Sequence, residues 1–189
     1  MHPFLISASV VAIAEFGDKT QLLALVLAAR FRKPGLILLA IFCATLVNHA
    51  IAGAIGAWVA SVVPSTLLRL VVAGAFIVMA LWTLKPDRYE ETDAPARPRF
   101  GVFGTTLIAF FLAEMGDKTQ IATATLAARY HTLVPVVAGS VLGMLAADAL
   151  AIAIGEVAAK RLPMRLIRSV AAAIFLLLGG LVLMGAGRT

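Results

Sequence analysis

Ala14-Glu15-Phe16-Gly17-Asp18-Lys19-Thr20-Gln21 recurs as Ala113-Glu114-Met115-Gly116-Asp117-Lys118-Thr119-Gln120, an offset of 99 residues (114 − 15). Each copy places two acids and a lysine inside an apolar run long enough to cross a bilayer. An ionised side chain at the centre of a bilayer costs at least ~2.5–3.5 kcal/mol, so such groups face a protein interior and mark an ion or substrate path. A sequence that carries three of them twice is built around a transport site, not around stability.

Composition sets the frame. The chain has 189 residues, of which 61% are hydrophobic and only 14% charged, and its mean hydropathy is +0.99. These values belong to a multi-pass membrane protein in contact with lipid. The formal net charge is +6, but the Lys and Arg sit between apolar runs, where membrane topology accounts for them better than nucleic acid does. Cys43 is the single cysteine, which excludes an internal disulfide and a Cys-based metal cage. Glu15, Asp18 and Lys19 interrupt the first apolar run, and no basic segment precedes it, so it does not read as a cleavable signal.

A span needs ~20 apolar residues at 1.5 Å rise, and six runs qualify: Phe4–Ala29, Gly35–Val63, Leu67–Leu84, Gly101–Ala128, Leu133–Ala159 and Leu166–Gly185. Residues 85–100 form the one long polar stretch, with three prolines, four acids and four basic residues, read as a cytoplasmic linker. The 99-residue offset runs on without a gap: Arg30 pairs with Arg129, Gly56 with Gly155, Pro64 with Pro163, Arg69 with Arg168, Ala73 with Ala172 and Phe76 with Phe175. The chain is therefore a duplicated three-helix unit, 1–84 and 101–189. Three is odd, so the second unit enters the membrane from the opposite side. The expected fold class is an all-α integral membrane protein, six transmembrane helices in two inverted three-helix repeats, with binding at the midplane between them.

The loops 1–2, 3–4 and 5–6 hold Arg30, Arg32, Lys33, Lys85, Arg88, Arg97, Arg99, Lys160, Arg161, Arg165 and Arg168, against Arg69, Arg129 and Arg188 on the other side. That asymmetry predicts a cytoplasmic linker and both termini outside.

On a continuous helix Glu15 and Asp18 share a face, with Lys19 beside them. Gly17 either allows a close approach or marks a break that exposes backbone carbonyls. Together the two motifs offer Glu15, Asp18, Glu114 and Asp117, with Thr20, Gln21, Thr119 and Gln120 as further oxygen ligands. Lys19 and Lys118 leave a sum of −2 (−4 + 2), which one divalent cation balances. Carboxylate, hydroxyl and amide oxygens suit Ca²⁺, Mn²⁺ or Mg²⁺ rather than Zn²⁺ or Cu⁺. Acids this close cannot all stay ionised without a cation, so protons and metal compete for them, the logic of an antiporter. The plain alternative is that Glu15–Lys19 and Glu114–Lys118 are ion pairs that hold helices together.

A doubled Glu-x-Gly-Asp-Lys-Thr in a six-span chain with a charged central loop resembles the Gdt-one family of cation transporters, which includes Golgi calcium/manganese–proton exchangers and bacterial manganese exporters. The resemblance covers essentially the whole chain. It implies exchange of Mn²⁺ or Ca²⁺ against H⁺, with Glu15, Gly17, Asp18, Lys19 and Thr20, then Glu114, Gly116, Asp117, Lys118 and Thr119, forming the cation site. The absence of a long N-terminal extension resembles the bacterial members and implies an inner-membrane exporter. No cofactor, catalytic group or nucleic-acid partner is expected; the partners are a divalent ion, protons and membrane lipid.

Weaker signals have bland readings beside them. His49 and Asp148 are equivalent positions (148 − 49 = 99) in spans two and five, and would relay protons or serve as interior hydrogen-bonding groups. Asn48 is a ligand or packing glue. Met115 is a soft ligand or, as its counterpart Phe16 argues, merely apolar. Glu156 pairs with Lys160 at the surface, and Asp87, Glu90, Glu91 and Asp93 belong to a solvated linker. Gly139 and Gly143 are a close-packing pair. Two other classes compete: a lipid-pyrophosphate phosphatase, which would want an Arg or Ser beside the acids, and a small amino-acid exporter, which would want fewer acids and an open apolar pocket.

Overall fold

The computed structural model describes residues 2–85, 95, 97–159 and 163–185, without the side chains of 155–159 and 164. The described residues form eight helices: α1 (His2–Glu15), α2 (Lys19–Phe31), α3 (Pro34–Val62), α4 (Ser65–Leu84), α5 (Gly101–Glu114), α6 (Lys118–Tyr130), α7 (Val134–Ala159) and α8 (Met164–Leu183). The first and fourth apolar runs are each two helices, not one, because the chain breaks inside each motif. The bounds of α1, α2 and α4 coincide with those of α5, α6 and α8 after the 99-residue offset, so the duplication extends to the local structure. Among the described residues, four helices are long and apolar enough to cross a membrane, Pro34–Val62, Ser65–Leu84, Val134–Ile154 and Arg165–Leu183, with His2–Glu15 and Gly101–Glu114 as shorter apolar helices.

Local chemistry sets the ends. Pro34 opens α3, where its missing N–H costs nothing and its φ is already helical. Pro64 and Pro163 stand immediately before α4 and α8. Arg32 and His131 end α2 and α6 in the left-handed region, at φ 53° and 51°.

The packing runs across the halves. α1 lies chiefly on α7, α4 on α8, and α3 on both α5 and α6. Equivalent residues touch each other at two places. Thr45 Oγ1 is 3.4 Å from Met144 Sδ, and the rings of Phe76 and Phe175 are 6.3 Å apart. The polarity is inside out: Trp58, Leu81, Leu112 and Leu177 are exposed, while Glu15, Asp18, Glu114, Asp117, Lys118 and Asp148 are buried. Outer surfaces of this kind suit lipid, where apolar side chains have no reason to hide.

Glycines let the backbones approach. A Cβ on Gly139 would lie 2.3 Å from the Phe4 carbonyl oxygen, and one on Gly143 2.3 Å from that of Ala8, which seats α7 directly on α1. Gly74 in α4 meets nothing within 4 Å. Gly143→Val is therefore expected to lower stability by about 1–3 kcal/mol or more through overpacking. Gly74→Ala is expected to be neutral or to stabilise by up to ~1 kcal/mol. Thermal unfolding of the two purified variants in detergent checks both, and equal melting temperatures would show that the α1–α7 contact is not close.

Candidate cation site

Each motif is a break between two helices rather than one continuous turn. α1 ends at Glu15, Gly17 turns at φ +77°, and α2 begins at Lys19. α5 ends at Glu114, Gly116 turns at the same φ, and α6 begins at Lys118. That φ is readily available only to glycine. Asp18 and Asp117 are the N-caps of the second halves: Asp18 accepts from the Lys19 amide at 2.6 Å and Asp117 from the Thr119 amide at 3.3 Å. The glutamine two positions inside each second half reaches back. The Gly17 amide donates to Gln21 Oε1 and the Gly116 amide to Gln120 Oε1, each at 2.9 Å. The motif thus writes a helix end, a glycine turn and a capped helix start in eight residues. Glu15 and Asp18 consequently do not lie on one continuous helix face, because the helix stops between them.

The breaks bring the two motifs together. Lys118 Nζ is 2.6 Å from Asp18 Oδ2, both buried. Glu15 bonds Thr20, whose hydroxyl donates to its Oε1, and Asp148, Asp18 and Asp117 act on it electrostatically. Glu114 is held from α3: Thr45 Oγ1 and Asn48 Nδ2 each donate to its Oε2 at 3.4 Å, and His49 Nε2 lies 2.7 Å from its Oε1. His49 Nδ1 lies 2.7 Å from Thr123 Oγ1, and Thr123 in turn is 2.9 Å from Ser140 Oγ. Glu114, His49, Thr123 and Ser140 form a continuous buried polar run. The pairs Glu15–Lys19 and Glu114–Lys118 are not formed within a copy among the described residues; the lysine of the second copy crosses to the acid of the first.

The equivalence breaks down at several points. Lys19 is half-buried and has no ion pair among the described residues, unlike Lys118. Gly17 is buried, with its carbonyl accepting from Arg168 at 3.4 Å, whereas Gly116 is exposed. Arg168 thus sits within α8 and touches a motif, although its charge reads as a loop residue in the sequence. Met115 is 58% exposed, so its thioether lies at the surface and not among the buried acids. Asn48 donates to the Phe111 carbonyl at 3.2 Å as well as to Glu114, which makes it a residue that positions Glu114. Among the described residues, no three His, Cys, Asp or Glu side chains are gathered closely enough to hold a metal ion between them. The side chains of Glu156 and Lys160 and the linker residues Asp87, Glu90, Glu91 and Asp93 lie outside what is described.

Thr45, Thr123, Ser140 and Arg168 join the site without having been expected there. Thr45 lies four residues before His49, and Thr123 four after Thr119, so helical spacing places each on a face already marked by a motif or polar residue. Ser140 and Arg168 carry no such signal.

Two buried acid-bearing breaks, each capped alike and joined across the halves, are what a divalent-cation exchanger needs. The family profile described as divalent cation/proton antiporter GDT1 matches residues 3–91 and 102–189, one stretch in each half. The chain belongs to the GDT1 family. A protein of Vibrio cholerae serotype O1 described as a "Putative manganese exporter" is 46% identical over 179 residues, covering 94% of this chain and 88% of its own length. No solved structure matches the chain. GDT1 proteins are divalent cation/proton antiporters and not enzymes, so the phosphatase and amino-acid exporter readings fall away. The motif acids therefore belong to a transport protein.

The crossed ion pair makes a stability prediction. Lys118→Met leaves Asp18 as an uncompensated buried charge and is expected to cost about 3–5 kcal/mol, much of it recovered in the double variant with Asp18→Asn. Lys19→Met is expected to cost less than ~1 kcal/mol, as for a pair-free, part-exposed lysine. Melting temperatures of the four purified proteins, parent included, decide it; equal losses from the two lysines would contradict the crossed pairing.

Proposed function

We propose that this GDT1 protein exports a divalent cation, Mn²⁺ first and Ca²⁺ second, from the cytoplasm in exchange for protons, across the inner membrane of a bacterium. The observation that carries the reading is the Lys118–Asp18 contact, 2.6 Å long and buried, because it joins the acids of the two breaks into one charged centre. The ligand set is Glu15, Asp18, Thr20, Gln21, Glu114, Asp117, Thr119 and Gln120, all oxygen donors. Lys19 and Lys118 compensate charge, engaging carboxylates when the ion leaves. The name of the Vibrio cholerae relative favours manganese, and hard oxygen ligands admit Mn²⁺ and Ca²⁺ alike.

The architecture behind the reading is six spans, with α1–α2 counted as one broken span and α5–α6 as another, in two inverted repeats. Its support is the touching of equivalent residues, Thr45 with Met144 and Phe76 with Phe175, since a two-fold axis brings equivalent residues face to face and a translation does not. The units are 1–84 and 101–189, joined by the cytoplasmic linker 85–100, and both termini lie outside. Arg30 donates to the Pro95 carbonyl at 2.9 Å, which keeps the end of α2 and the linker at one end of the molecule, as that orientation requires. Rocking of one repeat against the other would expose the centre alternately to each side. His49, with Glu114 on one nitrogen and Thr123 on the other, is the natural relay for the proton, with Asp148 as its counterpart in the other half.

Metal and protons competing for the same carboxylates give a pH dependence of fixed sign. Apparent Mn²⁺ affinity is expected to fall as pH falls, steepening toward about 100-fold per pH unit if each ion displaces two protons. In liposomes, an inward proton gradient is expected to drive Mn²⁺ outward. Flux indifferent to the gradient, with affinity flat between about pH 5.5 and 8, is the outcome that would leave a uniporter instead.

A further inference from the structure

Asp148 is the buried carboxylate for which the motifs give no account. It lies on α7 and is completely buried, and neither of its oxygens has a hydrogen-bond partner among the described residues. Its equivalent in the other half, His49, is fully engaged, with a partner on each ring nitrogen. The duplication thus places a satisfied imidazole beside Glu114 and an unsatisfied carboxylate near Glu15. Glu15 is itself half-satisfied: Oε1 accepts from Thr20, while Oε2 is buried without a partner. Asp148 acts electrostatically on Glu15, Glu114 acts on Asp148, and Asp18 acts on both Glu15 and Asp148. A hydrogen bond from Gln21 Nε2 to the Ala147 carbonyl, at 3.4 Å, fixes this turn of α7 against the first break.

A buried carboxylate with no donor is among the costliest arrangements in a protein interior. Two of them beside a third acid are neutralised either by a proton or by a cation, the two partners that an exchanger swaps. The rest of the sites around the first break are taken: the Gln21 oxygen by the Gly17 amide and one Asp18 oxygen by the Lys19 amide. On the second break, Glu114 is held by Thr45, Asn48 and His49. With Asp18 Oδ2 paired to Lys118, the fully buried carboxylate oxygens that accept no hydrogen bond among the described residues are Glu15 Oε2 and both oxygens of Asp148.

We propose that Asp148 is a direct ligand of the transported divalent cation, so that the centre shared by the two motifs is drawn toward α7 and the first break, with Glu15, Asp148 and Asp18 around the ion. Glu114 acts on Asp148 from the second break. The inference rests on the divalent-cation reading above and adds to it a ligand outside both motifs. Gathering three carboxylates around one ion needs side-chain rotation, and Asp148 is free to rotate because no hydrogen bond holds it. His49 at the equivalent position makes the two halves chemically unequal, an oxygen ligand on one side and a nitrogen base on the other.

Binding of MnCl₂, CaCl₂ and ZnCl₂ to the purified full chain in lipid nanodiscs, by calorimetry, tests the proposal with Asp148→Asn, Asp148→His and Glu15→Gln. Asp148→Asn is expected to weaken Mn²⁺ binding by more than the ~10–100-fold that loss of an outer partner costs, to the same degree as Glu15→Gln. It is also expected to raise the melting temperature of the metal-free protein, because an unpartnered charge is gone. A purely structural aspartate would do the reverse. Asp148→His is expected to raise the ratio of Zn²⁺ to Ca²⁺ affinity by about tenfold or more, since imidazole favours Zn²⁺ and carboxylate Ca²⁺; misfolding cannot produce that change of preference. An unchanged ratio, or parental Mn²⁺ affinity in Asp148→Asn beside a loss in Glu15→Gln, overturns the role of Asp148 and leaves the motif site standing. Parental affinity in Glu15→Gln as well would overturn the motif site itself.

Discussion

Everything in this molecule answers to the cost of holding charge inside an apolar body. Glu15, Asp18, Glu114, Asp117, Lys118 and Asp148 are all buried, within helices whose outer faces are apolar. Each such group needs a partner, and a continuous helix has none to offer, since its backbone N–H and C=O groups are consumed within it. Breaking the helix at Gly17 and Gly116 frees them. The freed amides are then answered by Asp18, Gln21, Asp117 and Gln120. The break and the charge are thus one solution, and capping alone already accounts for the Asp and Gln of each motif.

The same constraint explains the packing. A charge at a break in one half finds its partner in the other half, as Lys118 does on Asp18 and Glu114 on His49. For those partners to reach each other, helices must lie close, and Gly139 and Gly143 bring α7 onto the backbone of α1. Close backbone approach is what holds helices together where lipid removes the hydrophobic drive between them. The exchange function then follows from the site's economy: a carboxylate that a lysine, a histidine or a cation can each satisfy has several partners of similar worth, and ion exchange is the swapping of them.

Much of this is legible in the sequence because membrane apolarity and a gapless repeat are loud signals. The bounds of α1, α2 and α4 map onto those of α5, α6 and α8 by the 99-residue offset read from pairs such as Arg30 and Arg129, and the two motifs do meet. The broken helix was only one of two readings of Gly17, because a glycine inside an apolar run marks either a close contact or a turn, and only the backbone angle decides. The direction of the lysine was not legible at all. Spacing favours Glu15–Lys19 on a continuous helix, but the break turns Lys118 across the interface onto Asp18, and no local pattern reports a contact with an acid of the other copy. The exposure of Gly116 and the reach of Arg168 to Gly17 are likewise tertiary facts, whereas the His49/Asp148 difference is visible in the sequence and only its burial and hydrogen bonding are not.

The central claim is that the two breaks build one shared cation centre. Mn²⁺ binding stoichiometry, measured on the full chain in nanodiscs with Glu15→Gln and Glu114→Gln alongside the parent, tests it most directly. One ion per chain is expected in the parent, with the affinity of that single ion reduced by a change in either motif. Two ions per chain, each lost with its own motif and indifferent to the other, would contradict a shared centre.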